Sequence, residues 1–213
     1  MKQLASWAIV LGTLAACHKD TGVQCSIDHA QVAIMTVDDN TPTMLQIYKH
    51  AEADPAATQA GIKAQIDTWQ ADGQPKRTDY FLLGPDPTAI AKYVTSLPPE
   101  LQPPSNEKLL FERTGAEWRS FLVSSTVLDQ TKIAHVESTT NADRPALEIS
   151  FTPEGRKTFA DATEKAVGHK MATVIDGEIT NAPVINSKIS GGKAMITFSN
   201  AAEATALAKK LGC

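Results

Sequence analysis

Few side chains in this sequence have the types and spacing that catalysis or metal binding requires. The five histidines, at positions 18, 29, 50, 135 and 169, are scattered, and none belongs to an H-E-x-x-H pair. Asp38-Asp39-Asn40 lacks the other ligands of a calcium loop, which favours a turn. Gly191-Gly192 precedes a predicted strand and not a helix, which favours a bend over a phosphate cradle. We therefore expect no catalytic residue, no metal site and no cofactor, and a protein that is not an enzyme.

The three cysteines are the residues whose positions do indicate chemistry. Residues 1–16 have a lysine at position 2 and an apolar stretch from Leu4 to Leu14. This stretch is shorter than the roughly 20 residues that span a bilayer, and it is typical of a removed signal peptide. Leu14-Ala15-Ala16-Cys17 fits the bacterial lipobox, which predicts cleavage before Cys17 and acyl chains, palmitate among them, on its sulfur and freed amine. An ordinary secreted protein with a chance cysteine near its cleavage site is the alternative.

The expected lipid defines where the protein works. Several acyl chains hold a protein at a membrane stably, since each buried methylene adds about 0.8 kcal/mol. Cys17 is followed by His18 and not by an aspartate, a pattern that suggests sorting to the outer membrane in Gram-negative bacteria. Residues 17–30 are then the lipidated cysteine and a short polar tether. The sequence predicts a lipid-anchored protein on the periplasmic side of the cell envelope.

Cys25 and Cys213 stand at the two ends of the part of the chain that we expect to fold. Two remaining thiols often pair in an oxidising compartment, and compact domains often bring their termini together. A disulfide that closes so long a loop adds about 5 kcal/mol of stability in the loop-entropy model. Two unpaired thiols on frayed ends are the alternative.

The composition is that of an ordinary globular protein with a weakly acidic surface. Hydrophobic residues make up 42% and charged residues 21% of the 213 residues, and the formal net charge is −4. A nucleic-acid partner requires clustered Lys and Arg, so we expect none. The length suits one domain or two small ones.

Hydrophobic patterning predicts a first unit over residues 31–113 with the order β-α-β-α-β. Its first helix, over 55–70, is predicted from a proline in the first turn and from the helical spacing of Ile62, Ile66 and Trp69. The other elements are strands over 31–37, 78–83 and 108–112 and a helix over 87–97.

A second unit covers residues 114–213 and has the order β-β-β-α-β-β-β-α. Thr152 and Asn200 are placed to cap its helices, and Asp176-Gly177 forms a hairpin turn because this dipeptide tolerates positive φ. Its strands are predicted over 118–124, 133–139, 146–151, 171–175, 178–180 and 194–198, and its helices over 153–167 and 201–211. Together the two units predict an α+β protein with antiparallel or mixed sheets and helices packed on one face.

Several motifs of the second unit follow one another in a familiar order. They are Phe151-Thr152-Pro153-Glu154-Gly155 at a helix start, Val174-Ile175-Asp176-Gly177 at the hairpin, Ala182-Pro183-Val184-Ile185 after it, and Ile189 to Gly192 before the last strand. With these motifs, residues 107–212 resemble the head of the first periplasmic domain of the SecD/SecF protein-export membrane protein. The preceding stretch resembles a diverged form of the ferredoxin-like base that carries this head.

This resemblance implies a non-catalytic module that binds translocating polypeptides or an envelope protein, linked to protein export or to the cell envelope. It does not extend to the transmembrane helices of the family, so proton-driven transport is not implied. A structural envelope lipoprotein that binds no peptide is one alternative. An unrecognised hydrolase, with a deep pocket and convergent polar groups, is another.

Overall fold

The computed structural model describes residues 23–25, 30–198 and 200–213. The predicted signal peptide and Cys17 lie outside these residues, so the lipidation of Cys17 stays a prediction. The strands are β1 (Val23–Cys25), β2 (Val32–Val37), β3 (Lys63–Trp69), β4 (Arg77–Gly84), β5 (Lys108–Thr114), β6 (Glu117–Leu128), β7 (Ile133–Asn141), β8 (Arg144–Phe151), β9 (Met171–Ile175), β10 (Glu178–Asn181) and β11 (Lys193–Thr197). The helices are α1 (Pro42–Ala53), α2 (Pro55–Gln59), α3 (Pro87–Ser96), α4 (Pro153–Lys165) and α5 (Ala201–Lys210), with 3₁₀ turns at Pro99–Leu101 and Gln130–Lys132.

The strands form two sheets, which confirms the predicted α+β class with mixed sheets. The smaller sheet has the order β1-β7-β8-β11 and is antiparallel throughout. The larger sheet has the order β2-β9-β10-β5-β6-β4-β3, in which only β10 and β5 run parallel. Across the described ranges, no helix has the length and apolar character needed to cross a membrane.

Part of the larger sheet closes on itself. Strand β6 is 12 residues long, and one of its edges pairs with β4 at Trp118 and Arg119 and with β2 between Val123 and Leu128. The strands β2, β9, β10, β5 and β6 therefore form a closed ring. Its interior is apolar and contains Met35, Val37, Phe121, Val123, Ala172, Val174 and Ile179.

Two further cores lie where the helices meet the sheets. Helices α1 and α3 contact β4, and the side chains buried there include Met44, Ile47, Leu82, Ile90 and Leu122. Helices α4 and α5 contact β8 of the smaller sheet and bury a set that includes Leu147, Ile149, Phe159, Ala204 and Leu211. Each helix buries one stripe at helical spacing, which is why periodicity predicted most of them.

The predicted helix over 55–70 is wrong. Helix α2 ends at Gln59, and Gly61 adopts a left-handed φ of 70° before the chain enters β3. Ile62 is 4% exposed and packs in the helix-covered core, whereas Ile66 is 53% exposed on the strand. The two side chains therefore do not share a helix face. An edge strand is buried on few positions, so its sequence carries little of the alternation that would have identified it.

Helix α1 has no counterpart among the predicted elements. Thr41 caps it by accepting a hydrogen bond from the Met44 N–H, and Pro42 occupies its first turn, where the missing N–H costs nothing. A proline directly after a strand thus begins a helix here. The order over residues 31–113 is β-α-α-β-β-α-β.

Local signals in the second half are confirmed. Thr152 accepts a hydrogen bond from Gly155 N–H at the start of α4, and Asn200 accepts one from Glu203 N–H at the start of α5. Asp176 and Gly177 have φ values of 51° and 81°, as a tight hairpin turn requires.

The two sheets do not follow the two predicted units. The β5–β6 hairpin crosses the predicted boundary at residue 114, and β9 and β10 join the larger sheet. From the predicted tether, β1 pairs with β7 of the smaller sheet. The structure joins Cys25 of β1 to Cys213 in a disulfide across 188 residues. The division into domains at 113/114 stays a prediction.

We expect Gly155→Ala to destabilise the fold. Gly155 lies in α4, where an added Cβ would overlap the backbone carbonyl oxygen of Lys132. In an open helix this change adds stability, but a clash with backbone forces the helix away from its contact and costs about 1–3 kcal/mol. Urea unfolding measures the change.

Gly191→Ala is the matched control, because a Cβ at Gly191 meets no atom within 4 Å. Its free energy of unfolding should stay within about 0.5 kcal/mol of the wild type. A loss of equal size in both variants would contradict the packing of Gly155 against Lys132.

Candidate functional site

A cleft of about 810 Å³ opens where β5 and β10 diverge. The two parallel strands share a single paired position, Glu178 with Phe111, and they separate beyond it. The cleft is lined by Glu112, Arg113, Thr114 and Gly115 from the end of β5, by Ile175, Glu178, Ile179 and Thr180 from the hairpin, and by Phe198, Glu203, Ala206, Leu207 and Lys210 from or near α5. This volume is in the range of sites that hold small ligands or peptide side chains.

Two sets of contacts fix the walls of the cleft. The hairpin turn is held at the start of β2, because the Gln31 N–H donates to the Asp176 carboxylate at 2.8 Å and the Asp176 N–H donates to the Gln31 carbonyl at 2.9 Å. Helix α5 is held by Ala204 and Leu211, which are buried, and by the disulfide of Cys213 just beyond it. The cleft is therefore a built feature of the fold.

The lining combines an apolar floor with a charged rim. Ile175 and Ile179 are buried in the floor. At the rim, Lys210 Nζ lies 3.4 Å from Glu178 Oε2, and both side chains are about two-fifths exposed, with values of 41% and 44%. Such exposed pairs contribute about 0–1 kcal/mol, so this contact does not close the cleft.

A cluster of buried charges lies beside the cleft. Its central residue is on β6, the strand that pairs with the β5 wall of the cleft. Arg119 of β6 is the Cα partner of Glu112, which lines the cleft. The Arg119 guanidinium stacks on two rings, with its Cζ 3.9 Å from the centroid of Phe81 and 4.4 Å from that of Phe121. This sandwich is a cation–π arrangement that holds the guanidinium between β4 and β6.

Three aspartates face the Arg119 guanidinium. Its nitrogens lie 3.6 Å from Asp39 Oδ2 and 3.9 Å from Asp67 Oδ2 and Asp79 Oδ2. These separations are ion-pair distances and exceed those of hydrogen bonds. Because Asp39 and Asp79 are almost fully buried, these attractions act where water screens them little.

Lys170 completes the cluster from the other side. Its Nζ lies 2.6 Å from Asp79 Oδ2 and 3.0 Å from Asp67 Oδ2, and the residue is 8% exposed. The Trp69 indole N–H donates to Asp79 Oδ2 at 3.1 Å. Since Lys170 directly precedes β9, these contacts tie the hairpin side of the ring to β3 and β4.

Asp39 is the most deeply buried acid of the cluster. Its Oδ1 accepts the Leu122 N–H at 2.7 Å, and the residue is 1% exposed. Burial raises the pKa of Asp39 from 3.8 to about 8, against the opposing effects of the Leu122 N–H and Arg119. Burial also raises the pKa of Glu112. With its pKa raised to about 8, the Asp39 carboxyl holds a proton near neutral pH.

Sequence reasoning did not find this cluster, and it assigned Asp39 to a turn. The available signal was weak: Asp79, Arg119 and Lys170 are charged residues within or beside largely apolar strands. Only pairing across the sheet brings them together. Of the predicted site residues, Cys17 lies outside the described residues, and Cys25 and Cys213 form the disulfide without lining the cleft.

Comparison with protein families identifies a relationship for half of the chain. Residues 107–212 match the family model described as SecDF, P1 head subdomain. The matched range includes β5, the hairpin and α5, which together line the cleft.

Individual relatives match over similar ranges. The protein translocase subunit SecDF of Thermus thermophilus is 42% identical over 66 residues, which cover 30% of this chain and 9% of that protein. The protein translocase subunit SecD of Desulfurispirillum indicum is 32% identical over 104 residues, 44% of this chain and 20% of that protein. The chain thus spans a fifth or less of the length of these relatives.

A solved structure, described as a membrane component SecDF that enhances protein export, is also similar. It is 20% identical, with a TM-score of 0.39, and the match covers 84% of this chain and 92% of that chain.

The raised pKa of Asp39 predicts a specific dependence of stability on pH. The folded state holds a proton that the unfolded state releases between about pH 4 and pH 8, so this contribution to stability is lost as pH rises through that window. Asp39→Asn keeps an oxygen for the Leu122 N–H but does not titrate. The free energy of unfolding of the variant should therefore rise relative to that of the wild type as pH rises from 5 to 8, by at most about 1.4 kcal/mol per pH unit.

Urea unfolding at several pH values measures this difference. Asp72→Asn is the control, because it removes the same charge from an exposed turn. If the stability difference between wild type and Asp39→Asn stays constant from pH 5 to pH 8, the raised pKa is wrong.

Proposed function

Starting from the SecDF head-like domain of residues 107–212, which relates the chain to protein export, we propose that the protein binds extended polypeptide segments at the cell envelope. In this proposal the cleft between β5, β10 and α5 is the binding site. The whole protein is a non-catalytic lipoprotein, held on the periplasmic side of a membrane, in Gram-negative bacteria the outer one, by acyl chains on Cys17.

The observation that carries the proposal is the wall formed by the end of β5. Because β5 and β10 share only the Glu178–Phe111 position, the β5 edge beyond Phe111 faces the cleft. A strand edge can pair with the main chain of an extended segment regardless of its side chains. Recognition of the main chain suits a protein that must accept many polypeptides.

The remaining lining supports the same occupant. Leu207 is partly exposed and offers apolar surface for side chains that an unfolded segment exposes, and the buried Ile175 and Ile179 form the floor beneath it. Glu112, Glu203, Arg113 and Lys210 give the rim both signs of charge. An acidic or a basic segment would therefore meet a favourable partner on one side of the rim.

The buried charge cluster has a structural role in this proposal. Its cations and carboxylates lie against one another, and of these groups only Glu112 lines the cleft. The cluster fixes β6 against β4 and thereby holds the neighbouring strand β5 as a rigid wall. The protein acts by binding, as an accessory to export, and not by catalysis.

We expect the cleft to bind an unfolded polypeptide and not its folded form. The test uses the full chain carrying Cys17→Ser, with reduced, carboxymethylated α-lactalbumin as the probe and native α-lactalbumin as the folded control. Ala206→Glu places a charge in the cleft that peptide binding would bury, so the Kd for the unfolded probe should rise about tenfold or more. Fluorescence anisotropy of the labelled probe measures the Kd.

Ala202→Glu is the matched control, since Ala202 is exposed on the same helix but does not line the cleft. Its Kd should equal that of the parent protein. No binding of the unfolded probe, or equal loss of binding in the two variants, would refute the cleft as a polypeptide site.

The lipid anchor makes a separate prediction. Mass spectrometry of the purified N-terminal peptide should show cleavage before Cys17 and acyl chains on that residue. Cys17→Ser should move the protein from the membrane fraction to the soluble fraction of the periplasm. An unmodified Cys17 in membrane-bound protein would disprove the anchor.

A further inference from the structure

Two large hydrophobic side chains are exposed in the described part of the chain, and both lie on strands at the edges of sheets. Ile66 is 53% exposed on β3, the last strand of the larger sheet, and Met195 is 43% exposed on β11, the last strand of the smaller one. Edge strands present unpaired main-chain groups that can pair with another strand, and an added strand would also cover an exposed apolar residue in the middle of the edge.

The outer edge of β3 lacks the features that protect most edges. All seven residues pair with β4 without a bulge, and the strand contains no proline. Its single lysine, Lys63, is neutralised by Glu117, with 2.9 Å between Nζ and Oε1. Within the part of the chain that the structure describes, the strand is therefore long, regular and unpaired along its outer edge.

Apolar surface continues from Ile66 along one face of the sheet. The cross-strand partner of Ile66 is Tyr80, whose ring centroid lies 5.5 Å from that of Tyr48 on α1. Tyr48, Tyr80 and Ala64 are all partly exposed. A strand added next to β3 would cover Ile66 and border this patch.

We propose that β3 pairs antiparallel with β3 of a second copy of this chain, with Ile66 on the two-fold axis. In this register all seven residues of each strand have a partner, and Ile66 lies opposite Ile66 of the second copy. A two-fold contact of this kind uses the same patch on both copies and closes as a dimer.

Charge and polarity on the opposite face fit this pairing. Gln65 lies opposite Asp67 of the second copy, so an amide donor meets a carboxylate that is 45% exposed. Lys63 lies beside the Trp69 ring of the second copy and diagonal to its Asp67. The polar face of β3 is therefore complementary to itself in this register.

Antiparallel pairing of β11 with its own copy does not give complementary side-chain pairs. Antiparallel self-pairing about Met195 places Lys193 opposite Thr197, and β11 contains no acidic residue. The self-complementary edge is therefore that of β3, which identifies a second copy as its occupant and β3 as the strand involved.

Sedimentation velocity on the full chain carrying Cys17→Ser tests the proposal. The protein should form dimers as its concentration rises through the micromolar range. Ile66→Lys places two like charges on the axis and should weaken the dimer at least tenfold, while Met195→Lys should not change it. Circular dichroism melts of both variants check that they fold, which is expected because both side chains are exposed.

Cysteine crosslinking tests the register. Opposed positions in antiparallel strands have Cα atoms about 4.5–5.5 Å apart, which suits a disulfide. Ile66→Cys should therefore crosslink two copies on oxidation. Thr68→Cys should not, since the two copies of residue 68 lie about 13 Å apart in this register. A monomer at all concentrations, a dimer insensitive to Ile66→Lys, or crosslinking at 68 and not at 66 would overturn the proposal.

Discussion

The fold depends on the way one long strand changes partners. Strand β6 pairs with β4 over its first residues and with β2 over its last, on the same edge. Between them, backbone groups of β6 and of the adjoining β4 would be left unpaired inside the protein, at a cost of about 1–3 kcal/mol for each group. Asp39 and Ser120 fill this gap: Asp39 Oδ1 accepts the Leu122 N–H, and Ser120 Oγ accepts the Leu82 N–H at 2.9 Å. The Asp39 carbonyl also accepts the Tyr80 N–H.

A carboxyl group buried at this junction determines what surrounds it. A charged carboxylate in an apolar interior is unstable unless it is protonated or paired. Arg119 approaches from β6 and faces Asp79 of β4, and Lys170, directly before β9, pairs with Asp79 from the other side. The junction thus brings together charges from β3, β4, β6 and the residue before β9. Of these segments, β6 pairs with β5 and Lys170 leads into β9, and β5 and the hairpin of β9 and β10 form two walls of the cleft.

The sequence predicted what is encoded locally and missed what is encoded over long distances. Thr152, Asn200 and Asp176-Gly177 act within a few residues, and all three were identified. Helix α1 and strand β3 were missed because Pro42 begins a helix and because an edge strand has little alternation. The bonds of Asp39 with Leu122 and of Lys170 with Asp67 join residues 83 and 103 positions apart. No local pattern indicates such pairs, and the cleft requires three segments that meet only in the folded chain.

The disulfide between Cys25 and Cys213 determines how a pulling force would be transmitted through the protein. It joins β1, which lies within the predicted tether, to the residue just beyond α5. Helix α5 forms one wall of the cleft. Tension between a membrane anchor and a polypeptide held against α5 would pass through this covalent bond and one short helix. The charge junction of β6 and β4 lies outside that path. Load that reaches α5 would therefore pass to the tether without crossing the point where β6 changes partners.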